Sequence, residues 1–287
     1  MRKYVFIVLM GVLGLNCQAQ LLTDSLLVEG HYRKFHFLKP AAANRNSSLV
    51  FVLHGSGGDG VGIRNRALKL EEKAERENVV LVYPDGYKRY WNECRKAATS
   101  QANLENINEN AFFAGMIDYF TKTFAVNSAR VFVVGTSGGG HMAYKLALTM
   151  PDKFKAITAI IASLPTEDNL DCTPAGKAMP VMIVNGTKDQ LNIYEGGEIR
   201  LSDVYLGKVR STDDTFRYWA NLSGYRGNPV KYDLPDTDPT DGKTIEKYTF
   251  KRKSKPEVTL LKVINGKHDY PNDIDVHLEA WEFFKRQ

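Results

Sequence analysis

The chain has 287 residues, with 38 Lys and Arg against 33 Asp and Glu, 43% apolar and 11% aromatic residues. That length gives one large α/β domain ample core, and this composition excludes a disordered or fibrous polypeptide. The net charge of +5 loses two units if Arg2 and Lys3 leave with the segment described next; the remainder is too weak and scattered for nucleic acid to be a partner.

Met1-Arg2-Lys3 is a short positive region, Tyr4 to Leu15 is almost wholly apolar, and the polar Asn16-Cys17-Gln18-Ala19-Gln20 follows. This is the layout of a secretory signal peptide over 1–19, with Cys17-x-Ala19 as the small-x-small cleavage signal. It predicts a secreted or periplasmic protein. A lipid anchor on Cys17 is the less favoured reading, because Asn16 suits that processing poorly. An uncleaved anchor is disfavoured by the shortness of the apolar run, and no later stretch is apolar for long enough to span a bilayer in the mature protein. Residues 20–287 are then read as a single catalytic domain. Cys94 and Cys172 remain; in an oxidising compartment a disulfide is the default expectation, and two buried thiols the alternative. There is no C-x-x-C and no His/Cys cluster at zinc spacing, so neither cofactor nor metal is expected.

Leu26 to Leu38 alternates loosely and predicts antiparallel edge strands. Uniformly apolar runs follow at Ser48–His54, Val79–Tyr83, Arg130–Gly135, Ala156–Ile161, Val181–Val184 and Thr259–Ile264. Strands of this kind are covered on both faces, the habit of a parallel sheet. Helical stripes lie between them: Ile63, Ala67, Leu70 and Ala74; Phe113, Ile117, Phe120 and Phe124; Met142, Ala143, Leu146, Ala147 and Met150; and Ile274, Leu278, Trp281 and Phe284. The alternation predicts an α/β fold, a mostly parallel doubly wound sheet with helices on both faces. Residues 221–255, rich in Gly, Pro, Asp and Lys, read as a surface excursion between a helix around Phe216–Trp219 and the last strand, with room for a hairpin whose water-facing tip is the basic cluster Lys251–Lys255. Within it, Asp236, Asp238 and Asp241 sit out of register for a calcium loop and read as a solvated turn.

Gly135-Thr136-Ser137-Gly138-Gly139 stands where a strand turns into a helix. A Ser between glycines there is a candidate nucleophile, raised above the sheet, with the Gly138 N–H aimed at any nearby developing negative charge. A Ser hydroxyl needs a base. His31 and His36 lie on edge strands, His54 ends a strand, and His141 is expected to point into packing. His268 follows the last core strand on the sheet edge where α/β folds gather their site residues, and His277 is a distant second. Asp189, after the strand ending at Val184, is the acid expected to orient the imidazole; Asp171 and Asp203 are weaker choices. The glycines of Leu53-His54-Gly55-Ser56-Gly57-Gly58 let the N–H of Ser56 or Gly57 join that of Gly138 in an oxyanion hole.

Five blocks in this order carry a resemblance. They are Leu53-His-Gly-Ser56, Tyr90-Trp-Asn-Glu-Cys94, Arg130 to Gly140, Asn185-Gly-Thr-Lys-Asp189 with Tyr194-Glu-Gly-Gly197, and Gly266-Lys-His-Asp-Tyr-Pro271. From Leu53 to its end the chain resembles the secreted polyhydroxybutyrate depolymerase-like and feruloyl esterase group of α/β-hydrolases, related to carbohydrate esterase family one. The resemblance implies a Ser137, Asp189, His268 triad, oxyanion donors at Ser56 and Gly138, and Trp91 near the substrate. The chain departs from the family's pattern at Tyr270, where a Trp is usual, at Asn272, at Glu109-Asn110 and along Gln190–Tyr194. Tyr270 borders the expected site.

The expected reaction is ester hydrolysis through an acyl-enzyme, on feruloyl or acetyl esters of plant polysaccharide. A polyhydroxybutyrate depolymerase is the alternative; a serine peptidase or a non-catalytic binding protein on a hydrolase scaffold ranks lower.

Overall fold

The computed structural model describes residues 20–41, 43–201 and 204–287. The expected signal peptide, Cys17 and Asp203 lie outside the described residues. Ten strands form one sheet: β1 (Leu22–Val28), β2 (His31–Leu38), β3 (Ser48–Leu53), β4 (Val79–Pro84), β5 (Val131–Thr136), β6 (Ala156–Ile160), β7 (Val181–Gly186), β10 (Val230–Asp233), β11 (Thr244–Arg252) and β12 (Lys255–Ile264). Their order is β1-β2-β4-β3-β5-β6-β7-β12-β11-β10. The central pairs from β4 to β12 are parallel, and both edges are antiparallel. This is an α/β-hydrolase fold.

The apolar runs are explained by alternation between two covered faces. Leu49, Phe51 and Leu53 of β3 join one core with α4 (Glu109–Phe124), α5 (Gly138–Thr149) and α6 (Thr212–Leu222). Val50 and Val52 face the opposite core with α1 (Gly60–Arg64), α2 (Leu68–Arg76) and α7 (Val276–Lys285); one short helix, α3 (Gln101–Leu104), precedes α4. The stripe from Ile63 to Ala74 falls on two helices rather than one. Arg66 N–H bonds to Ile63 O and Ala67 N–H to Arg64 O, i→i−3 bonds that tighten the chain and break the helix.

Residues 221–255, read from sequence as a surface excursion, supply β10, all of β11 and the first residue of β12. Ile245 and Phe250 of β11 are buried, one in each core, so this segment extends the sheet. A further hairpin, β8 (Gly197–Leu201) with β9 (Val204–Val209), stands apart from the sheet. Among the described residues no helix is long and apolar enough to cross a membrane.

Candidate active site

Ser137 joins β5 to α5 with φ 53° and ψ −117°, a conformation that costs a non-Gly residue on the order of 1–3 kcal/mol. The surrounding backbone leaves it no alternative. A Cβ on Gly135 would stand 2.0 Å from Gly139 O, and one on Gly139 would stand 2.5 Å from Leu53 O. Ser137 N–H bonds to Ile160 O at 2.8 Å, and Ser137 O accepts from His141 N–H at 3.0 Å.

Adjacent strands β7 and β12 end beside this turn, and their loops are tied together. Thr187 N–H bonds to Val263 O at 2.9 Å and Lys188 N–H to Gly266 O at 2.8 Å. That brings Asp189 and His268 into contact. His268 Nδ1 is 2.8 Å from Asp189 Oδ2, and His268 Nε2 is 3.0 Å from Ser137 Oγ. With the carboxylate accepting the Nδ1 proton, Nε2 presents its lone pair to the hydroxyl. The other carboxylate oxygen, Oδ1, accepts the N–H groups of Leu191 and Asn192, each at 2.8 Å. The Asp189 side chain is 1% exposed against 23% for His268, so the imidazole alone of the pair meets incoming molecules.

Gly138 is the first residue of α5 and lies against Ser56; a Cβ on it would be 2.9 Å from Ser56 N. Gly57 N–H is already committed to Arg89 O at 2.9 Å. Of the two candidates in that loop, Ser56 therefore keeps its N–H free among the described residues, alongside that of Gly138. His54 braces the loop as a neutral ring: Nδ1–H bonds to Gly55 O and Nε2 accepts Gly86 N–H, and burial lowers its pKa. Trp91 packs its ring on His54 and donates Nε1–H to His54 O at 2.9 Å.

Two kinds of space flank Ser137. On the Ser56 and Gly138 side are adjoining cavities of about 250 and about 180 Å³, both bordered by Arg95 and by Leu201 and Leu206 of the β8–β9 hairpin. Trp91 lines the larger of these; Ser137 and His268 line the smaller. On the other side is a more open groove of about 390 Å³ along Gly58, Arg66, Thr136, His268 and Tyr270. Tyr270 is fixed there by a 2.6 Å hydrogen bond between its hydroxyl and Thr136 Oγ1, and burial raises its pKa.

Residues 29–192 match the protein family described as "Putative esterase". This chain belongs to that esterase family. It is 25% identical over 233 residues to acetylxylan esterase A of Aspergillus oryzae, covering 74% of this chain and 72% of that protein. It is 29% identical over 123 residues to feruloyl esterase B of Piromyces equi, covering 41% of this chain and 22% of that protein. The matches span 65% to 72% of the length of the first curated relatives. Among solved structures, an acetyl xylan esterase from Aspergillus awamori superposes with TM-score 0.62 at 17% identity, over 91% of this chain and 99% of that one, a likeness of fold. The resemblance stated from sequence is thus borne out, and the protein is a carboxylic ester hydrolase.

The esterase's cavity walls hold one expected feature and several that the sequence reading missed. The loop after Trp91 is stapled by a Cys94–Cys172 disulfide, the pairing expected by default. Glu109, at the family's departure point, is fully buried; it pairs with Arg33 at 2.9 Å and accepts Asn92 N–H at 3.2 Å, fixing the chain beside Trp91. Asn169 accepts Ala97 N–H and donates to Leu206 O and Lys208 O, so one side chain links loop to hairpin. Its signal, an Asn in a polar stretch, is too weak to find from sequence. His141 is buried in packing as expected, and it also borders the smaller cavity. Asp171 contacts the disulfide loop through its N–H to Cys94 O and takes no part in the His268 array. His277 packs its ring edge-on to Tyr270 and makes no bond to Ser137. Asp238, from the acidic turn, accepts hydrogen bonds from Thr240 and Asn272. Among the described residues no group of three or more His, Cys, Asp or Glu is placed to hold a metal ion.

Proposed function

We propose that this esterase is a secreted serine hydrolase whose residues 20–287 act as one catalytic domain. Its substrates are taken to be acetyl or feruloyl esters of xylan-type polysaccharide. The observation that carries the mechanism is the continuous chain Ser137 Oγ, His268 Nε2, His268 Nδ1 and Asp189 Oδ2, with links of 3.0 and 2.8 Å. Ser137 attacks the ester carbonyl as His268 takes its proton, and Asp189 stabilises the imidazolium. The N–H groups of Ser56 and Gly138 hold the oxyanion, each such donor supplying about 3–4 kcal/mol to the transition state. His268 then protonates the leaving alcohol and later activates the water that releases the acid. The curated relatives' names support the xylan-type substrate, and the open groove beside His268 suits a polymeric alcohol.

Ser137→Ala tests this reading. Turnover of 4-nitrophenyl acetate is expected to fall by at least about 10⁴-fold while the thermal melt is retained. A variant retaining near wild-type turnover removes Ser137 from the role. Acetylated xylan, methyl ferulate and polyhydroxybutyrate compared side by side separate the substrate classes.

A further inference from the structure

The enclosed side of Ser137 is roomier and more polar than an acetyl group needs. Because His268 must protonate the departing alcohol, the alcohol lies on the His268 side of the ester. The larger cavity includes Ser56 and Gly138 but neither Ser137 nor His268, so the acyl chain extends into it from the oxyanion side. Its apolar surfaces are Trp91, Leu201 and Leu206, and its wall contains the ion pair Glu93–Arg95.

That pair is an unusual lining. Arg95 Nε and Nη2 both reach Glu93 Oε1 at 2.7 Å, and Arg95 N–H bonds to Glu93 Oε2 at 2.9 Å. Both side chains are about 95% buried (5% and 4% exposed). Burying two charges costs desolvation, which further hydrogen bonds offset. Yet Arg95 Nη1 makes no hydrogen bond among the described residues, and the cavity is the space the pair borders. The charges sum to zero. A substrate carboxylate there would meet Glu93 and an ammonium would meet Arg95, whereas a hydroxyl donates to Glu93 and accepts from Arg95.

Resting on the serine-esterase reading above, we propose that Glu93 and Arg95 are specificity-determining residues that read the far part of the acyl group and select acyl groups carrying an uncharged hydroxyl. A phenolic hydroxyl on a hydroxycinnamoyl group and an aliphatic one on a hydroxyalkanoyl group share this chemistry.

Matched ester pairs separate the two sources: methyl ferulate against methyl 3,4-dimethoxycinnamate, and methyl 3-hydroxybutanoate against methyl butanoate. In the wild-type protein the hydroxylated ester of one pair is expected to have the higher kcat/KM by about tenfold or more, and that pair names the source. Glu93→Gln and Arg95→Met each bring that ratio to within about threefold. Glu93→Gln also leaves Arg95 uncompensated, so turnover of monomethyl succinate rises relative to methyl butanoate, a gain that damage to the fold does not produce. The inference is overturned if wild-type protein turns over 4-nitrophenyl acetate but treats both pairs alike, or if the preference survives in both variants. Should a variant fail to fold, the wild-type pairs still decide. Wild-type protein inert towards 4-nitrophenyl acetate removes the esterase mechanism itself, a separate and distinguishable failure.

Discussion

In the turn that carries Ser137, backbone touches backbone: Gly135 lies against Gly139 and Gly139 against Leu53 and His54, while Gly138 lies against both the backbone and the hydroxyl of Ser56. In the walls of the neighbouring cavity, side chains span the gaps instead. The β8–β9 hairpin contributes Ile199, Leu206 and Val209 to a small cluster with Ala98, separate from both main cores, and Asn169 ties that hairpin to the loop after Cys94. A contact between backbones admits no substitution and little movement, whereas a wall of side chains can be rebuilt residue by residue. On the proposed mechanism, the reacting groups are therefore held where variation is sterically forbidden, and substrate choice is left to walls where it is tolerated.

The most forceful way to break this contrast is to place the same methyl group in each region. Gly135→Ala puts a Cβ 2.0 Å from Gly139 O. Backbone must shift, at a cost on the order of 4 kcal/mol, and displacement of Ser137 should lower kcat by at least about 100-fold. Gly197→Ala in the hairpin meets nothing within 4 Å among the described residues, although its φ of 125° is unfavourable for Ala. The expected loss there is about 1–2 kcal/mol, with kcat changed less than about threefold. Urea melts and 4-nitrophenyl acetate kinetics on the two variants measure both quantities. Equal losses of kcat would show that the turn is no more constrained than the wall.

Cys94→Ser acts on the wall alone. The disulfide closes a separation of 78 residues, for which loop entropy predicts about 4 kcal/mol of stabilisation. Since the bond fixes the loop between Trp91 and Asn103 rather than Ser137, KM for bulky esters should rise more than kcat falls. A drop confined to kcat would place the disulfide's influence on the reacting groups instead.

The same contrast governs what could be read from sequence. The strand runs, the Gly135–Gly139 turn and the positions of Asp189 and His268 were legible because each depends on local pattern or on strand ends sharing one sheet edge. The break at Asn65–Ala67 was not, because the apolar spacing continues across it. The hairpin tip at Lys251–Lys255 was legible as a basic cluster, but not that β11 extends the sheet, because Ile245 and Phe250 alternate with polar residues amid Gly, Pro and Asp signals. The hairpin and Asn169 pair with segments distant in sequence, and no local spacing encodes that meeting. Glu93 and Arg95 flank Cys94 at the end of the Tyr90–Cys94 block, but only the folded loop makes them a cavity wall.

Asn169→Ala tests that long-range pin. It leaves Ala97 N–H and Leu206 O without the side chain that now bonds them, while Lys208 O keeps the Thr166 N–H, a loss of about 2–3 kcal/mol. Proteolysis should cut first in the hairpin, with KM raised and the 4-nitrophenyl acetate kcat little changed. First cleavage elsewhere would mean that another contact holds the hairpin.

A smaller effect comes from acid and reaches the wall of the open groove. His277 is 1% exposed beneath Tyr270, and neither ring nitrogen has a hydrogen-bond partner among the described residues. Burial depresses its pKa from the ordinary 6.5 to about 4. Above pH 6.5 both folded and unfolded forms are neutral and the group contributes nothing. Below it the unfolded chain binds a proton that the folded protein excludes, so stability falls with pH until about pH 4 and then levels. For this residue the loss at pH 5 is about 1–2 kcal/mol. His141 and His54, whose pKa values burial also lowers, act in the same direction. His277→Phe fills the same space, keeps a ring against Tyr270 and removes the titration. Its stability should fall less between pH 7 and pH 5 than that of the wild type, by about that amount, in paired urea melts. Parallel losses in the two proteins would assign the acid sensitivity to His141 beside Ser137 and to His54, and so to the turn rather than the wall.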